Sequence, residues 1–272
     1  MNRLKKFANN ICLVSLLAGL SFANLSSAKT INVPQEHAKI QEAIDIASDG
    51  DTILVSPGTY QENLKIYKKS LHLLSTTISD STRILVSNPE YPTIIIANSD
   101  NYTLDGFQII SQNSEQGIGV YSFYSSGQIS QNYIILASTG ISVVSGRHVD
   151  IWNNILEHND KAVRSNADST LLSGNKIGPN GLSNGVPAVS LEGRVNIAEF
   201  NSFVDNRIGI KVFGDYNELF RNNFIRNTYC VSIAPDAAKT LVMNNLFLNS
   251  YNTGLISELE KSDSTKVTVK YN

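Results

Sequence analysis

A short segment with a cation at a fixed position recurs in the second half of the chain. Gly209-Ile210-Lys211-Val212 reads as a small, an apolar, a variable and an apolar residue, and Ala162-Val163-Arg164 is a shorter copy. Lysine and arginine side chains bind carboxylates and, with a suitable pKa, transfer protons. The pattern therefore predicts two cations, Arg164 and Lys211, that can bind or act on an acidic ligand.

Further charged residues of both signs lie close to these segments in the sequence. They are Asp160, Lys161, Glu192, Asp205 and Arg207. A mixture of cations and carboxylates can bind an acidic polysaccharide. The alternative interpretation is that these are solvated charges paired across the surface, because exposed ion pairs are common and weak.

Aromatic residues supply a second kind of candidate contact. Tyr121, Phe123 and Tyr124 crowd one turn, and Trp152 follows Ile151 and should point outward. Exposed rings suit sugar rings, and tyrosine and tryptophan are frequent anchors in binding sites. Trp152 has an equally acceptable structural interpretation, namely packing against a terminal tail.

The elements that position these residues are predicted by a repeat. Asparagine is abundant, with 30 in the chain, and a pattern of apolar, two variable, Asn, variable, apolar residues recurs at spacings of 22, 21, 26, 22 and 22. The asparagines assigned to it are Asn132, Asn154, Asn175, Asn201, Asn223 and Asn245. Asparagine tolerates left-handed backbone, and stacked amides can hydrogen-bond to one another, so we expect a ladder.

The 26-residue step holds the longest departure from the repeat, 178–187. We expect this segment to be an inserted loop. It either borders the face that carries Arg164 and Lys211, since insertions in solenoids cluster on binding faces, or is a loop that the fold merely tolerates. Asn180 should then lie off the ladder and tolerate substitution better than Asn201.

The small-apolar-variable-apolar segments have the alternation of strands rather than helices. Alternation sends one row outward, which we assign as Gly119, Ser142, Arg164, Ser190, Lys211 and Ser232. The next outward row is expected to hold Tyr121, Glu192 and Phe213. A rung of about 22 residues cannot bury its apolar residues alone and must stack on its neighbours. A leucine-rich repeat has a similar period. It also requires an apolar residue two positions before the first apolar residue of the asparagine pattern, and that position is mostly polar in this chain.

The chain resembles the right-handed parallel β-helix superfamily typified by pectate lyases and pectin methylesterases, over roughly residues 30–256. The repeats carry this resemblance together with the opening Ile31-Asn32-Val33-Pro34, a helical stripe from Ile40 to Ala47, and the turn 57–62. It implies an all-β fold, a right-handed parallel β-helix with rungs of about 22 residues and an N-terminal cap helix. We expect domains at 29–256 (β-helix) and 257–272 (C-terminal tail).

In that superfamily the face with the outward row forms the substrate groove. Carried over by position, the resemblance implies Arg164, Lys211, Asp160 and Asp205 as candidate catalytic residues. The implied substrate-binding residues are Lys161, Glu192, Arg207, Tyr121 and Trp152. The implied chemistry is proton removal next to a uronate, with carboxylate-bound Ca²⁺ neutralising the acid.

Signatures of individual enzyme families are mostly missing. Gly58-x-Tyr60-x-Glu62 matches the first pectin methylesterase motif, which we interpret as structural, but the later esterase, polygalacturonase and pectate lyase motifs are not matched. The four histidines have no metal-ligand spacing, and Cys230 is interpreted as a small buried residue. Two functions remain open, a polysaccharide lyase or hydrolase and a non-catalytic surface or periplasmic scaffold.

Composition and charge limit the class of protein and partner. Residues 1–28 have a basic start, an apolar run and small residues before Lys29, which predicts a cleaved signal peptide and export. The formal net charge is −2, and removing those residues with their three cations makes it −5. We therefore expect no nucleic-acid partner and, lacking another long apolar run, no membrane span.

Overall fold

A computed structural model describes residues 27–77, 81–112, 117–181 and 185–250, together with the backbone of two later strands. Its one helix within these residues is α1 (Ile40–Ile46). The strands are β1 (Thr30–Val33), β2 (Thr52–Val55), β3 (Gly58–Gln61), β4 (Leu64–Tyr67), β5 (His72–Ser75), β6 (Thr82–Leu85), β7 (Ile94–Ala97), β8 (Tyr102–Asp105), β9 (Gln108–Ile110), β10 (Ile118–Phe123), β11 (Gly127–Ser130), β12 (Tyr133–Ile135), β13 (Thr139–Val144), β14 (Val149–Trp152), β15 (Ile155–Glu157), β16 (Lys161–Ser165), β17 (Leu171–Ser173), β18 (Lys176–Ile177), β19 (Pro187–Leu191), β20 (Ile197–Glu199), β21 (Ser202–Val204), β22 (Ile208–Val212), β23 (Glu218–Phe220), β24 (Asn223–Ile225), β25 (Tyr229–Ile233), β26 (Thr240–Met243), β27 (Leu246–Leu248), β28 (Leu255–Ser257) and β29 (Val267–Lys270).

These strands form three parallel sheets that the chain visits in turn. The first sheet has 11 strands in the order β1-β2-β5-β8-β11-β14-β17-β20-β23-β26-β29. The second runs from β3 to β27 and the third from β4 to β28, each with 9 strands taken from every third element. One strand of each sheet makes one coil, so the right-handed parallel β-helix predicted from the repeat is confirmed.

Inward residues stack into columns because every coil repeats the same alternation. On the third sheet Ile141, Val163, Val189 and Ile210 pair in register and are all fully buried. On the second sheet the rings of Phe203 and Phe224 stack with centroids 4.6 Å apart. Because similar apolar side chains stack on one another from rung to rung, rungs that are too small to fold alone share one continuous core.

The predicted asparagine ladder lies at the turn between the first and second sheets. The Asn201 Oδ1 accepts hydrogen bonds from the backbone N–H and the amide of Asn175, at 3.0 Å each. The same amide-to-oxygen hydrogen bond joins successive rungs at Asn132, Asn154, Asn222 and Asn245. Asn222, rather than the expected Asn223, is therefore the ladder residue; Asn223 is exposed on β24.

The expected role of left-handed backbone is also corrected. The residue with positive φ is the one before each ladder asparagine, as at Gln131 (φ 55°), Phe200 (φ 55°) and Arg221 (φ 56°). Those positions hold several residue types, so the turn does not require asparagine for its backbone conformation. The ladder position requires asparagine because only an amide both accepts from one rung and donates to others in this way.

A second ladder runs along the turn between the second and third sheets, formed by Asn159, Asn180, Asn206 and Asn227. Asn180 is 1% exposed, and its Nδ2 donates to the carbonyl of Leu156 at 2.8 Å. The expectation that Asn180 lies off the ladder is therefore wrong. The insertion follows Asn180, and the chain rejoins the repeat at β19.

The cap helix confirms the predicted stripe. Ile40, Ala43, Ile44 and Ala47 are all buried, and α1 packs on β1, β2 and β4. The carboxylate of Glu62 accepts hydrogen bonds from the N–H groups of Ile40 and Gln41 at 2.9 and 3.0 Å. Glu62 belongs to the Gly58-x-Tyr60-x-Glu62 motif, so the motif has the structural role expected of it.

We expect Glu62→Ala to lower the free energy of unfolding by about 1–2 kcal/mol, since it removes both the capping bonds and the favourable charge at the helix start. Thermal or urea unfolding measures the change. Glu42→Ala is the matched control, because Glu42 lies exposed in the first turn. Equal losses in the two variants would contradict the capping role.

The predicted signal peptide, 1–28, lies almost wholly outside the described residues. In the described part of the chain no helix is long and apolar enough to cross a bilayer. The strand β29 falls within the segment expected to be a tail, and it pairs in parallel with β26.

Candidate functional site

The outward row of the third sheet brings together two of the four predicted cations and one aromatic side chain. Register places Tyr121, Ser142, Arg164, Ser190, Lys211 and Ser232 on consecutive rungs. Tyr121 thus belongs to the row of Arg164, not to the next row as expected. The reason is that Val120 pairs with Ile141, which aligns Gly119 with the buried small residue Gly140.

Long and short side chains alternate along this row. Ser142 and Ser190 are only 4% and 2% exposed, although they point out of the core, because the longer side chains on either side cover them. Arg164 and Lys211 are two rungs apart with Ser190 between them. Strands stack about 4.8 Å apart, so the two cations lie on backbone positions separated by about 10 Å.

Arg164 is held by an acidic neighbour on the next rung. Its Nε donates to Glu192 Oε1 and its Nη2 donates to Glu192 Oε2, both at 2.8 Å. This two-point hydrogen bond raises the pKa of Arg164, so the side chain remains a cation. The pair is solvent-accessible, with the two side chains 45% and 26% exposed. It orients the guanidinium more than it stabilises the fold.

Lys161, the first residue of β16, is the third member of this charged group. Burial lowers the pKa of Lys161, Glu192 acts in the opposite direction, and the positive charge of Arg164 adds to the lowering. Lys161, Arg164 and Glu192 are therefore electrostatically coupled. An amine with a lowered pKa is still a hydrogen-bond donor, and it releases its proton more readily than an ordinary lysine.

The remaining predicted charges lie in the turns that enter the third sheet. Asp205 accepts two hydrogen bonds from Arg226 at 2.7 and 2.6 Å, and this lowers the pKa of Asp205. Its carboxylate is thus already paired with a cation of the next turn. Asp160 and Arg207 are exposed in these turns.

Aromatic rings lie at both ends of the charged row. Tyr121 stacks on Phe123 with ring centroids 6.0 Å apart, and Phe123 packs edge-on against Tyr124 at 4.3 Å. At the other end the Nζ of Lys211 lies 5.1 Å from the ring centroid of Phe213. Trp152, in contrast, lies on the first sheet in register with Ser130 and Ser173. It does not share a face with Arg164.

The chain is similar to several known proteins. The chain belongs to the family described as periplasmic copper-binding protein (NosD), which it matches over residues 44–272. It is also 36% identical over 109 residues to a cell surface glycoprotein of Methanothermus fervidus. That match covers 39% of this chain and only 18% of the glycoprotein.

Two solved structures illustrate the shared architecture. The catalytic domain of Agl-KA has a TM-score of 0.62 and 16% identity, over 82% of this chain and 48% of that one. A PL6 family alginate lyase, AlyGC, has a TM-score of 0.58 and 17% identity, over 82% of this chain and 35% of the lyase. At such identities the likeness concerns the fold, and this chain spans half or less of each structure.

The family description raises the question of copper. Across the described residues, no three His, Cys, Asp or Glu side chains converge as metal ligands. Burial raises the pKa of the Cys230 thiol, and its Sγ lies 2.8 Å from the Ser250 hydroxyl, so the softest donor is held as a buried neutral group. The described residues do not fit a copper ion. Cys230 is the small core residue that the sequence predicted.

Proposed function

We propose that this protein is exported and binds an acidic polysaccharide along the outward face of its third sheet. The observation that carries the proposal is the placement of Arg164 and Lys211 in one outward row, with Lys161 at its edge and aromatic rings at both ends. Cations two rungs apart match about two sugar units along an extended chain, so each can meet a carboxylate.

Export is supported from two directions. Residues 1–28 have the pattern of a signal peptide. The family is described as periplasmic, and the matching protein of Methanothermus fervidus is described as a cell surface glycoprotein. A polysaccharide ligand is in keeping with the alginate lyase among the structures that share the fold.

Binding is favoured over catalysis by the state of the predicted catalytic groups. Arg164 is already hydrogen-bonded to Glu192, and Asp205 is already hydrogen-bonded to Arg226. A cation whose pKa is raised is a poor proton acceptor. Lyase activity is the second candidate, because burial lowers the pKa of Lys161 and that amine lies beside Arg164.

The decisive experiment compares polygalacturonate with the same polymer after full methyl esterification, which removes the charge and keeps the sugar. We expect the mature protein to be retained by polygalacturonate or alginate in affinity electrophoresis at low salt. The retention should fall as salt screens the cations, and the esterified polymer should not compete. Failure to bind any acidic polysaccharide at low salt would favour the scaffold function.

The same samples test the second candidate. A lyase produces an unsaturated uronate whose ultraviolet absorbance grows with time, with or without added Ca²⁺. A binding protein gives retention without that absorbance. A growing absorbance that Lys161→Ala removes would assign Lys161 as a general base.

A further inference from the structure

A polar cleft lies on the first sheet, which forms a different face of the β-helix from the charged row. It opens where β5, β8, β11 and β14 meet the turn from the third sheet. Its volume is about 520 Å³, and a hollow of about 350 Å³ adjoins it. Asp100, Ser126 and His148 line both, so the two form one continuous depression.

Four consecutive rungs each contribute one polar side chain to the floor of this cleft. His72, Thr103, Gln128 and Asp150 pair in register along the outward face. At a strand spacing of about 4.8 Å this polar row is roughly 14 Å long. Leu171 occupies the next rung, so the polar row ends there.

The wall of the cleft is formed by turn residues. Ser126 Oγ donates to Asp100 Oδ1 at 2.7 Å, which fixes that carboxylate. Asn101 and His148 have left-handed backbone, with φ of 55° and 51°, and both line the cleft. Tyr124 is 57% exposed in the adjoining hollow and offers a ring surface.

Several polar groups of the cleft face the solvent. The side chains of Gln128 and His148 are exposed, and that of Asp150 is half-buried. Burial raises the pKa of Asp150, and His148 partly offsets this effect. A partly exposed carboxylate can accept hydrogen bonds from the hydroxyl groups of a ligand, and the exposed amide of Gln128 can both donate and accept them.

The charge of the cleft separates it from the third-sheet face. The cleft itself is lined by Asp100 and Asp150 and by no lysine or arginine, whereas Arg147 lines the adjoining hollow. The two carboxylates of the cleft would repel a uronate, and carboxylates and amides are suited to the paired hydroxyls of an uncharged sugar. We propose that this cleft is a second carbohydrate site, which binds neutral sugar residues of an oligosaccharide. It is independent of the acidic polymer proposed for the third sheet.

The chain contains a built-in reporter for this site. Trp152 is its one tryptophan, and it follows Asp150 by two residues on the same outward face of β14. A ligand in the cleft should change the emission of Trp152. A polymer on the third sheet should leave it unchanged, because that face is on another side of the β-helix.

The experiment titrates the mature protein with cellohexaose, mannohexaose, xylohexaose and a chitosan hexamer, with Trp152 emission and calorimetry as the two readouts. We expect saturable binding of at least one of the three neutral hexasaccharides. Asp150→Asn and Gln128→Ala should each weaken it at least tenfold without a change in melting temperature. Glu218→Gln, three rungs farther along the same outward row, is the matched control and should not weaken it.

Three outcomes would overturn the proposal. They are no response to any neutral hexasaccharide in either readout, a response to the cationic chitosan hexamer alone, and neutral-sugar binding that persists unchanged in Asp150→Asn and Gln128→Ala. The double variant Arg164→Ala, Lys211→Ala should retain neutral-sugar binding. Failure at the third sheet is thereby distinguished from failure here.

Discussion

Replacing Asn201 by alanine should lower the free energy of unfolding by about 2–4 kcal/mol, because several buried groups lose their partner at once and each costs roughly 1–3 kcal/mol. The Asn201 amide nitrogen donates to the carbonyl of Leu172 and to Asn222 Oδ1, and the Asn201 Oδ1 accepts from the backbone N–H of Asn175. For a domain of this size the loss corresponds to a melting shift of several degrees, measurable by calorimetry.

Neighbouring asparagines provide matched controls for this prediction. Asn222→Ala should cost about as much as Asn201→Ala, whereas Asn223→Ala should cost little, because Asn223 is exposed. Asn180→Ala should also be costly, since Asn180 is a member of the second ladder. A mild Asn180→Ala with a severe Asn201→Ala would contradict the second ladder and restore the interpretation of 178–187 as a loop throughout.

The architecture could be predicted from the sequence because its causes are local and repeated. Each coil carries the same alternation of inward and outward residues, so a pattern of a few residues seen in several copies defines the strands. The cap helix follows from a stripe of four apolar residues that the structure buries. Neither prediction required knowledge of which distant residues touch.

The second ladder was missed although the sequence contains a signal for it. Asn159, Asn180, Asn206 and Asn227 each follow a first-ladder asparagine by five residues. That spacing also identifies Asn222 as the ladder residue, because Asn227 follows it by five. A search for one asparagine per rung could not find this signal, and it led to the misplacement of Asn180.

The candidate site depended on register, which short patterns specify poorly. The row of Arg164 includes Tyr121 because Gly119 occupies the crowded position before Val120; a Cβ there would lie 2.5 Å from the carbonyl oxygen of Gly140. The partnership of Arg164 with Glu192 joins residues 28 positions apart. This pairing depends on the length of the insertion between the two residues, and no short sequence pattern predicts it.

The largest expected effect on binding is that of Arg164→Ala with Lys211→Ala. We expect the affinity for polygalacturonate at low salt to fall at least about a hundredfold, because a hydrogen bond to a charged group is worth about 1.5–3 kcal/mol and two are lost. The melting temperature should be nearly unchanged, since exposed charges contribute little to folding. Arg221→Ala with Lys239→Ala removes the same charge elsewhere on the surface and is the matched control.

The ion pair on Arg164 makes a prediction of opposite sign. Glu192→Gln removes the carboxylate that competes with the ligand for the guanidinium, so it should strengthen polygalacturonate binding by about tenfold, equivalent to about 1.4 kcal/mol. Calorimetric titration of the single variant beside the unmodified protein measures this. If Glu192→Gln weakened binding as strongly as Arg164→Ala, the two-point hydrogen bond from Arg164 to Glu192 would be needed to orient Arg164 for the ligand. If neither change altered binding, the acidic polymer would have to lie on another face.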